Sequence, residues 1–374
     1  MRRWAAATRR LLWPVAMAMA TAACSAGDGA SVKPDADDGA LDTLGYYAQS
    51  IAGHLALMRA ARPVADWLAD EGTPPALRER LLLAQGLREF AVRELALPDN
   101  ASYRRYADLG RPAAVWNVVA APELSLQLKT WCVPVLGCVG YRGYVDRAEA
   151  DAQAARLGAG GWEAGVYGVP AYSTLGWSNW VGGDPLLNTF LRGGDAELAR
   201  LIFHELAHQV VYASDDTMFN ESFATAVERI GVRRWLQSDQ ATPTAREAAV
   251  LSEQRRSDFR ALTRGTRAAL ERLYASDKSD TDKRAAKAGL MAAMQAGHQR
   301  LKSQRWDGYA GYDNWFAHAN NATLGVQAAY DEWVPAFERL FAREGSDFGR
   351  FYAAVKALAA MPRAERHATL LNMP

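Results

Sequence analysis

The feature that most constrains this chain is the stretch Leu201-Ile202-Phe203-His204-Glu205-Leu206-Ala207-His208-Gln209, an apolar run that carries H-E-x-x-H. Its spacing predicts an α-helix. His204 and His208 then lie one turn apart, so both imidazoles reach one point, while Glu205 sits about 100° round the helix beside them. Neutral imidazoles suit a borderline-soft divalent ion such as zinc, and a catalytic site needs a third protein ligand plus an open position.

The best third ligand is Glu221 in Phe219-Asn220-Glu221-Ser222-Phe223-Ala224, with twelve residues between it and His208. That gap allows the first helix to end, a turn at Ser214-Asp215-Asp216, and a second helix that runs back past the metal. Phe223, Val227 and Ile230 recur at helical spacing, and Glu221 and Glu228 fall two turns apart on one face. Glu228 can then accept the free N–H of a ligand histidine and fix its tautomer. Asp215, Asp216 and Glu228 are the alternatives for the ligand position. A third histidine in H-x-x-G-x-x-H is excluded, because Val211 and Ser214 occupy those positions.

His204-Glu205-Leu206-Ala207-His208-Gln209, followed by Asn220-Glu221-Ser222-Phe223-Ala224 and Glu228, resembles the gluzincin metallopeptidases, particularly the zinc aminopeptidases with H-E-x-A-H-Q and N-E-G-F-A-x-x-x-E. The resemblance implies one Zn²⁺ held by His204, His208 and Glu221, Glu205 as general base, and Glu228 behind the ligands. In this chain the gap is shorter, Ser222 stands for the glycine, and no G-x-M-E-N stretch occurs. From its leader through Tyr172-Ser173-Thr174-Leu175-Gly176-Trp177 to Asn320-Asn321-Ala322, the chain is also similar to a bacterial family of aminopeptidase-like lipoproteins. Gluzincins add a Tyr or His from downstream of the ligands as oxyanion donor. The stretch Gly311–Ala322 and the residues after it concentrate such groups, in Tyr312, His318, Asn320, Asn321 and Tyr330, with Tyr330 ranked first and His318 second.

Residues 1–23 read as a signal peptide. Arg2, Arg3, Arg9 and Arg10 precede the apolar core Leu11–Ala20, which is too short to span a bilayer. Thr21-Ala22-Ala23-Cys24 resembles a lipobox, so Cys24 is expected to carry lipid and to tether the protein to a membrane, with Ser25 pointing to the outer membrane and the body facing the periplasm. Ordinary secretory cleavage is the alternative, and Arg9-Arg10-Leu11-Leu12 also permits twin-arginine export. Residues 24–40 form a flexible tether and 41–374 one folded domain. The chain has 43 Lys plus Arg against 42 Asp plus Glu, a balance that gives no sign of nucleic-acid binding.

Within the domain, two helices split by Gly72-Thr73-Pro74-Pro75 are expected over 41–98, a buried strand near Ala113–Val119, and a hairpin over Thr130–Val145. Cys132 and Cys138 in that hairpin are expected to form a disulfide in an oxidising compartment. A helix over 146–157 and strands over 162–169 and 171–177 follow, and the stretch Tyr167–Trp177 offers an edge for an extended peptide. Gly193-Gly194-Asp195 is expected to make a turn and an N-cap for the zinc helix, residues 242–305 to form a long charged helical pair, and 330–343 and 346–360 two terminal helices. His54 and His298 are expected to be structural. The fold class is α+β, predominantly α-helical, with a zincin-like H-E-x-x-H helix pair beside a small sheet. The expected function is zinc-dependent peptide hydrolysis in the cell envelope. The alternative is a non-catalytic, lipid-anchored envelope protein whose zinc site only holds helices together.

Overall fold

In the computed structural model, helices make up most of the chain, and the described strands are confined to three small sheets. The class is α+β, predominantly helical. The structure describes residues 49, 52–53, 55–133, 137–171, 183–214, 216–331 and 333–373. The leader with Cys24, the tether, His54, the segment 172–177 and Asp215 lie outside them. Residues Tyr46–Pro374 cluster as one compact unit.

Helix α1 (residues 55–60) leads into β1 (Arg62–Pro63), α2 (Val64–Ala69) and α3 (Pro75–Leu95). Pro74 and Pro75 suit the start of α3, where a missing N–H costs nothing. The three-stranded sheet β1-β2-β8 joins β1 and β2 (Arg105–Ala107) antiparallel and β2 and β8 (Leu186–Leu187) parallel. The second sheet centres on β3 (Val115–Pro122), flanked antiparallel by β6 (Arg142–Tyr144) and β7 (Trp162–Val169). Val118, Val119, Ala120 and Ala121 are all fully buried, so β3 is covered on both faces, as this apolar run requires. Val118 and Ala120 pack on α4 (Arg147–Ala159), while Val119 and Ala121 pack on Ala322 and Val326 of α11 (Asn321–Asp331). Strands β4 (Trp131–Val133) and β5 (Gly137–Val139) form a hairpin in which Cys132 and Cys138 are disulfide-bonded.

After the short α5 (Asn188–Leu191), α6 (Asp195–His208) and α7 (Thr217–Gln237) pack side by side in the main core. Gly231 of α7 allows this closeness. A Cβ there would lie 2.9 Å from the Phe203 ring of α6 and 2.6 Å from Leu95 of α3. The cap expected at Gly193-Gly194-Asp195 falls on Gly194, and Asp195 is the first helical residue. Its carboxylate is taken by Arg80, which also binds the carbonyls of Leu191 and Gly193, and an acid in the first turn still favours the helix dipole.

Helices α8 (Pro243–Tyr274) and α9 (Asp280–Gln304) form the long charged pair, whose own apolar cluster contains Phe259, Trp306 and Phe316. His298 is buried there, stacked on Phe316 at 4.2 Å. The stretch rich in Trp, Tyr, Asn and His contains α10 (Asp313–Ala317) and α11. α11 packs on both the sheet and α7, and so links β3 to the ligand-bearing helix. The terminal part holds α12 (Val334–Arg343), α13 (Phe348–Ala359) and a further helix, α14 (Arg363–Leu371).

Candidate metal centre

The buried stripe of α6, formed by Leu198, Ala199, Ile202, Phe203, Leu206 and Ala207, fixes the helix rotation and turns His204, Glu205 and His208 toward α7. The return into α7 is held by two side chains. Asp216 caps the helix by accepting the Phe219 N–H, and the Asn220 amide binds both the N–H and the carbonyl of Ala213, each at 2.8 Å. Asn220 thus closes the turn that brings Glu221 opposite the histidines.

His204 Nε2 lies 3.2 Å from His208 Nε2 and 3.2 Å from Glu221 Oε2, and His208 Nε2 is 3.7 Å from the same oxygen. The rings stand nearly perpendicular. A tetrahedral ion with bonds of about 2.0–2.1 Å spaces its donors by about 3.3 Å, so the three atoms fit the edges of such a site. Glu228 Oε2 is 3.1 Å from His204 Nδ1 and accepts its proton, which leaves the Nε2 lone pair facing the cluster. The Oε1 atom of Glu228 accepts from Arg200 at 3.0 Å.

Burial opposes a charge on His204, but its hydrogen bonds to Glu221 and Glu228 outweigh burial and raise its pKa well above the usual value. Burial drives His208 down to about 4, keeping that imidazole neutral. Though penalised by burial, Glu221 is held below the usual carboxylate range by His208 and His204, and Glu228 by His204 and Arg200. Two ionised carboxylates so close together call for positive charge between them, which a proton on His204 supplies and a bound divalent cation would supply in its place. Burial, reinforced by the charges of Glu221, Asp184 and Glu228 and opposed by His204, lifts Glu205 to about 7. A carboxylate so placed can exchange protons near neutral pH.

Sequence reasoning missed the support for this motif. Gln209 accepts from Asn100 Nδ2 at 2.6 Å and donates to Ser102 Oγ at 3.1 Å, so the end of α6 is pinned to the loop after α3. Arg88 holds that loop through Asp99, Asn100 and Ser102. The next residue, Tyr103, has a left-handed backbone with φ +63° and donates its N–H to Asp184 at 2.6 Å. Its hydroxyl is buried without a hydrogen-bond partner among the described residues, and burial together with the charges of Glu205 and Asp184 raises its pKa well above the usual value. Tyr167 of β7 is pushed up to about 12 by burial against a hydrogen bond from Asn117, with the charge of Glu221 adding to the rise. These pairings span long sequence separations and leave no periodic signal.

The stretch expected to supply an oxyanion donor is engaged elsewhere where it is described. Tyr312 stacks on Phe259, and His318 is exposed with Nδ1 2.9 Å from the Asn314 carbonyl. Asn320 donates to the Ala164 carbonyl, and Asn321 to those of Pro122 and Glu123. No hydrogen bond or ion pair joins these described side chains to His204, Glu205, His208 or Glu221. Tyr330 is in α11, and its side chain lies outside the described residues.

Fold and site define a predominantly helical α+β protein with a His-His-Glu cluster placed to hold a metal ion. Residues 45–370 match the family described as "Putative aminopeptidase", and the chain belongs to that family. No curated protein and no solved structure matches it.

Proposed function

We propose that the protein is a zinc-dependent, aminopeptidase-like hydrolase of the bacterial cell envelope. The observation that carries this reading is the convergence of His204 Nε2, His208 Nε2 and Glu221 Oε2 beside the buried carboxylate of Glu205. Family membership supports a peptidase-like activity. Imidazole and carboxylate donors in this number suit zinc, and three protein ligands leave a position open. Intact Glu205 argues against a purely structural site, which has no use for a base there.

The chemistry a bound zinc ion supplies is Lewis acidity toward a peptide carbonyl and water. Glu205 takes a proton from the attacking water and passes it to the departing amine. Glu228 holds His204 by its Nδ1–H throughout, so the ligand keeps its tautomer. The developing oxyanion needs a further donor, which we assign to Tyr167, whose hydroxyl feels the charge of Glu221, with Tyr330 from downstream of the ligands as the alternative. A lipid on Cys24 would hold the body at the outer membrane, facing the periplasm.

The test is zinc analysis of the purified protein together with hydrolysis of free and N-blocked aminoacyl and peptidyl amides. Stoichiometric zinc, activity lost to chelation and regained with Zn²⁺, and a preference for free amino termini are expected. A metal-free protein as active as the loaded one overturns the reading. Mass spectrometry of the mature N-terminus tests the anchor, which an unmodified Cys24 would refute.

A further inference from the structure

Arg200 lies one helical turn before His204 on α6 and bridges two carboxylates from different helices. Its Nη1 donates to Glu228 Oε1 of α7 at 3.0 Å and its Nη2 to Glu253 Oε2 of α8 at 2.8 Å. Arg200 and Glu228 keep only 12% and 17% side-chain exposure, whereas Glu253 is 43% exposed. Glu253 is itself gripped by Arg260 at 2.7 Å and approached by Arg256, which also binds Glu197 at the start of α6. A continuous run of charge-assisted hydrogen bonds therefore leads from the outer face of α8 to Nδ1 of His204.

We propose that Arg200, anchored by Glu253, is a positioning residue for the metal ligand His204. A glutamate carboxylate can rotate about its terminal bond and present either oxygen. Arg200 occupies Oε1 of Glu228, so Oε2 is the oxygen left to receive the His204 proton at 3.1 Å. Glu253 in turn stops the guanidinium from swinging away, because its second terminal nitrogen is already committed. His208 has no such support: its Nδ1 is buried without a hydrogen-bond partner among the described residues. The orientation of the ligand set therefore leans on His204, and through Glu228 on Arg200. The charged face of α8 that carries Glu253, Arg256 and Arg260 becomes part of the centre's scaffold. Lysine cannot take the same place, since a single ammonium lacks the planar fork that spans two carboxylates.

The inference rests on the zinc reading, and its test separates the two. Zn²⁺ affinity is measured by competition with a fluorescent chelator for the full-length protein, Arg200→Met, Arg200→Lys and Glu253→Gln, alongside urea unfolding of each metal-free protein. Arg200→Met is expected to weaken Zn²⁺ binding by about 10- to 100-fold, the range for groups that orient metal ligands. Arg200→Lys should fall between it and the native protein, and Glu253→Gln should show a smaller loss. A merely structural Arg200 would lower the unfolding midpoint and leave the affinity of the folded protein unchanged, which overturns the inference. If Arg200→Met does not fold, native affinity in both Arg200→Lys and Glu253→Gln overturns it equally. A native protein that fails to bind Zn²⁺ overturns the zinc reading, and this inference with it.

Discussion

Arg366 Nη1 of α14 meets Asp216 Oδ2, the cap of the ligand-bearing helix α7, at 2.5 Å, with side-chain exposures of 6% and 0%. His367 Nε2 reaches the same oxygen at 2.9 Å, so the last helix of the chain locks the start of α7. Asp216 is thereby committed away from the histidines, which bears on its place among the alternative ligands. Removing one partner of a buried pair costs about 3–5 kcal/mol, and the remaining His367 contact puts Arg366→Met near the lower end. Asp216→Asn combined with Arg366→Met should recover part of that loss. Equilibrium urea unfolding measures both, and a single variant as stable as the native protein would contradict the assignment.

Glu205→Gln removes a base and no ligand. The variant should keep its zinc and its unfolding midpoint, while kcat falls by about 10²–10⁴, the usual share of general acid–base catalysis. Native turnover in a zinc-loaded Glu205→Gln protein would rule out the proposed proton transfer.

Removing a ligand has the opposite signature. His204→Ala and Glu221→Ala should each lose metal, because Glu228 is spent on His204 Nδ1 and Arg200 and cannot easily replace Oε2 of Glu221. Metal content by plasma mass spectrometry after dialysis decides it. Full zinc in Glu221→Ala would move the third ligand to another acid of the turn or of α7.

Gly231 sets the separation of the two metal-binding helices. Gly231→Ala would press a methyl group between Leu95 and Phe203, both fully buried, and overpacking of this kind costs about 1–3 kcal/mol. The gain in helix propensity returns about 1 kcal/mol, so a net loss is expected. Phe203 immediately precedes His204, and zinc affinity should fall with it. Unchanged stability and unchanged affinity together would show that the contact yields freely.

How much was legible in the sequence follows from what leaves a pattern. H-E-x-x-H, the return to Glu221 and the stripe of Phe223, Val227 and Ile230 encode a helix pair through local spacing, and the apolar run of β3 reads as a buried strand because both its faces are covered. α14 was missed because Arg366 and Leu370 are the buried residues of Arg363–Leu371, too few for an apolar stripe. Gly193-Gly194-Asp195 marks the start of α6 locally, whereas the pairing of Asp195 with Arg80, far away in sequence, leaves no local signal. Arg200, Asn100, Ser102 and Tyr103 enter the site by pairings that only the folded chain brings together.

The oxyanion donor separates the local reading from the tertiary one. His318 spends Nδ1 on the Asn314 carbonyl and is exposed, whereas Tyr167 is held by Asn117 on the strand that packs against α11, and its hydroxyl feels the charge of Glu221. Tyr167→Phe is therefore expected to lower kcat by about 10²–10³ with zinc content and KM nearly unchanged, the effect of losing one preorganised donor. His318→Ala should leave kcat within a few-fold of native. Tyr330→Phe belongs in the same series. A large loss of kcat in Tyr330→Phe or His318→Ala, with Tyr167→Phe native, would return the role to the downstream stretch where the sequence places it.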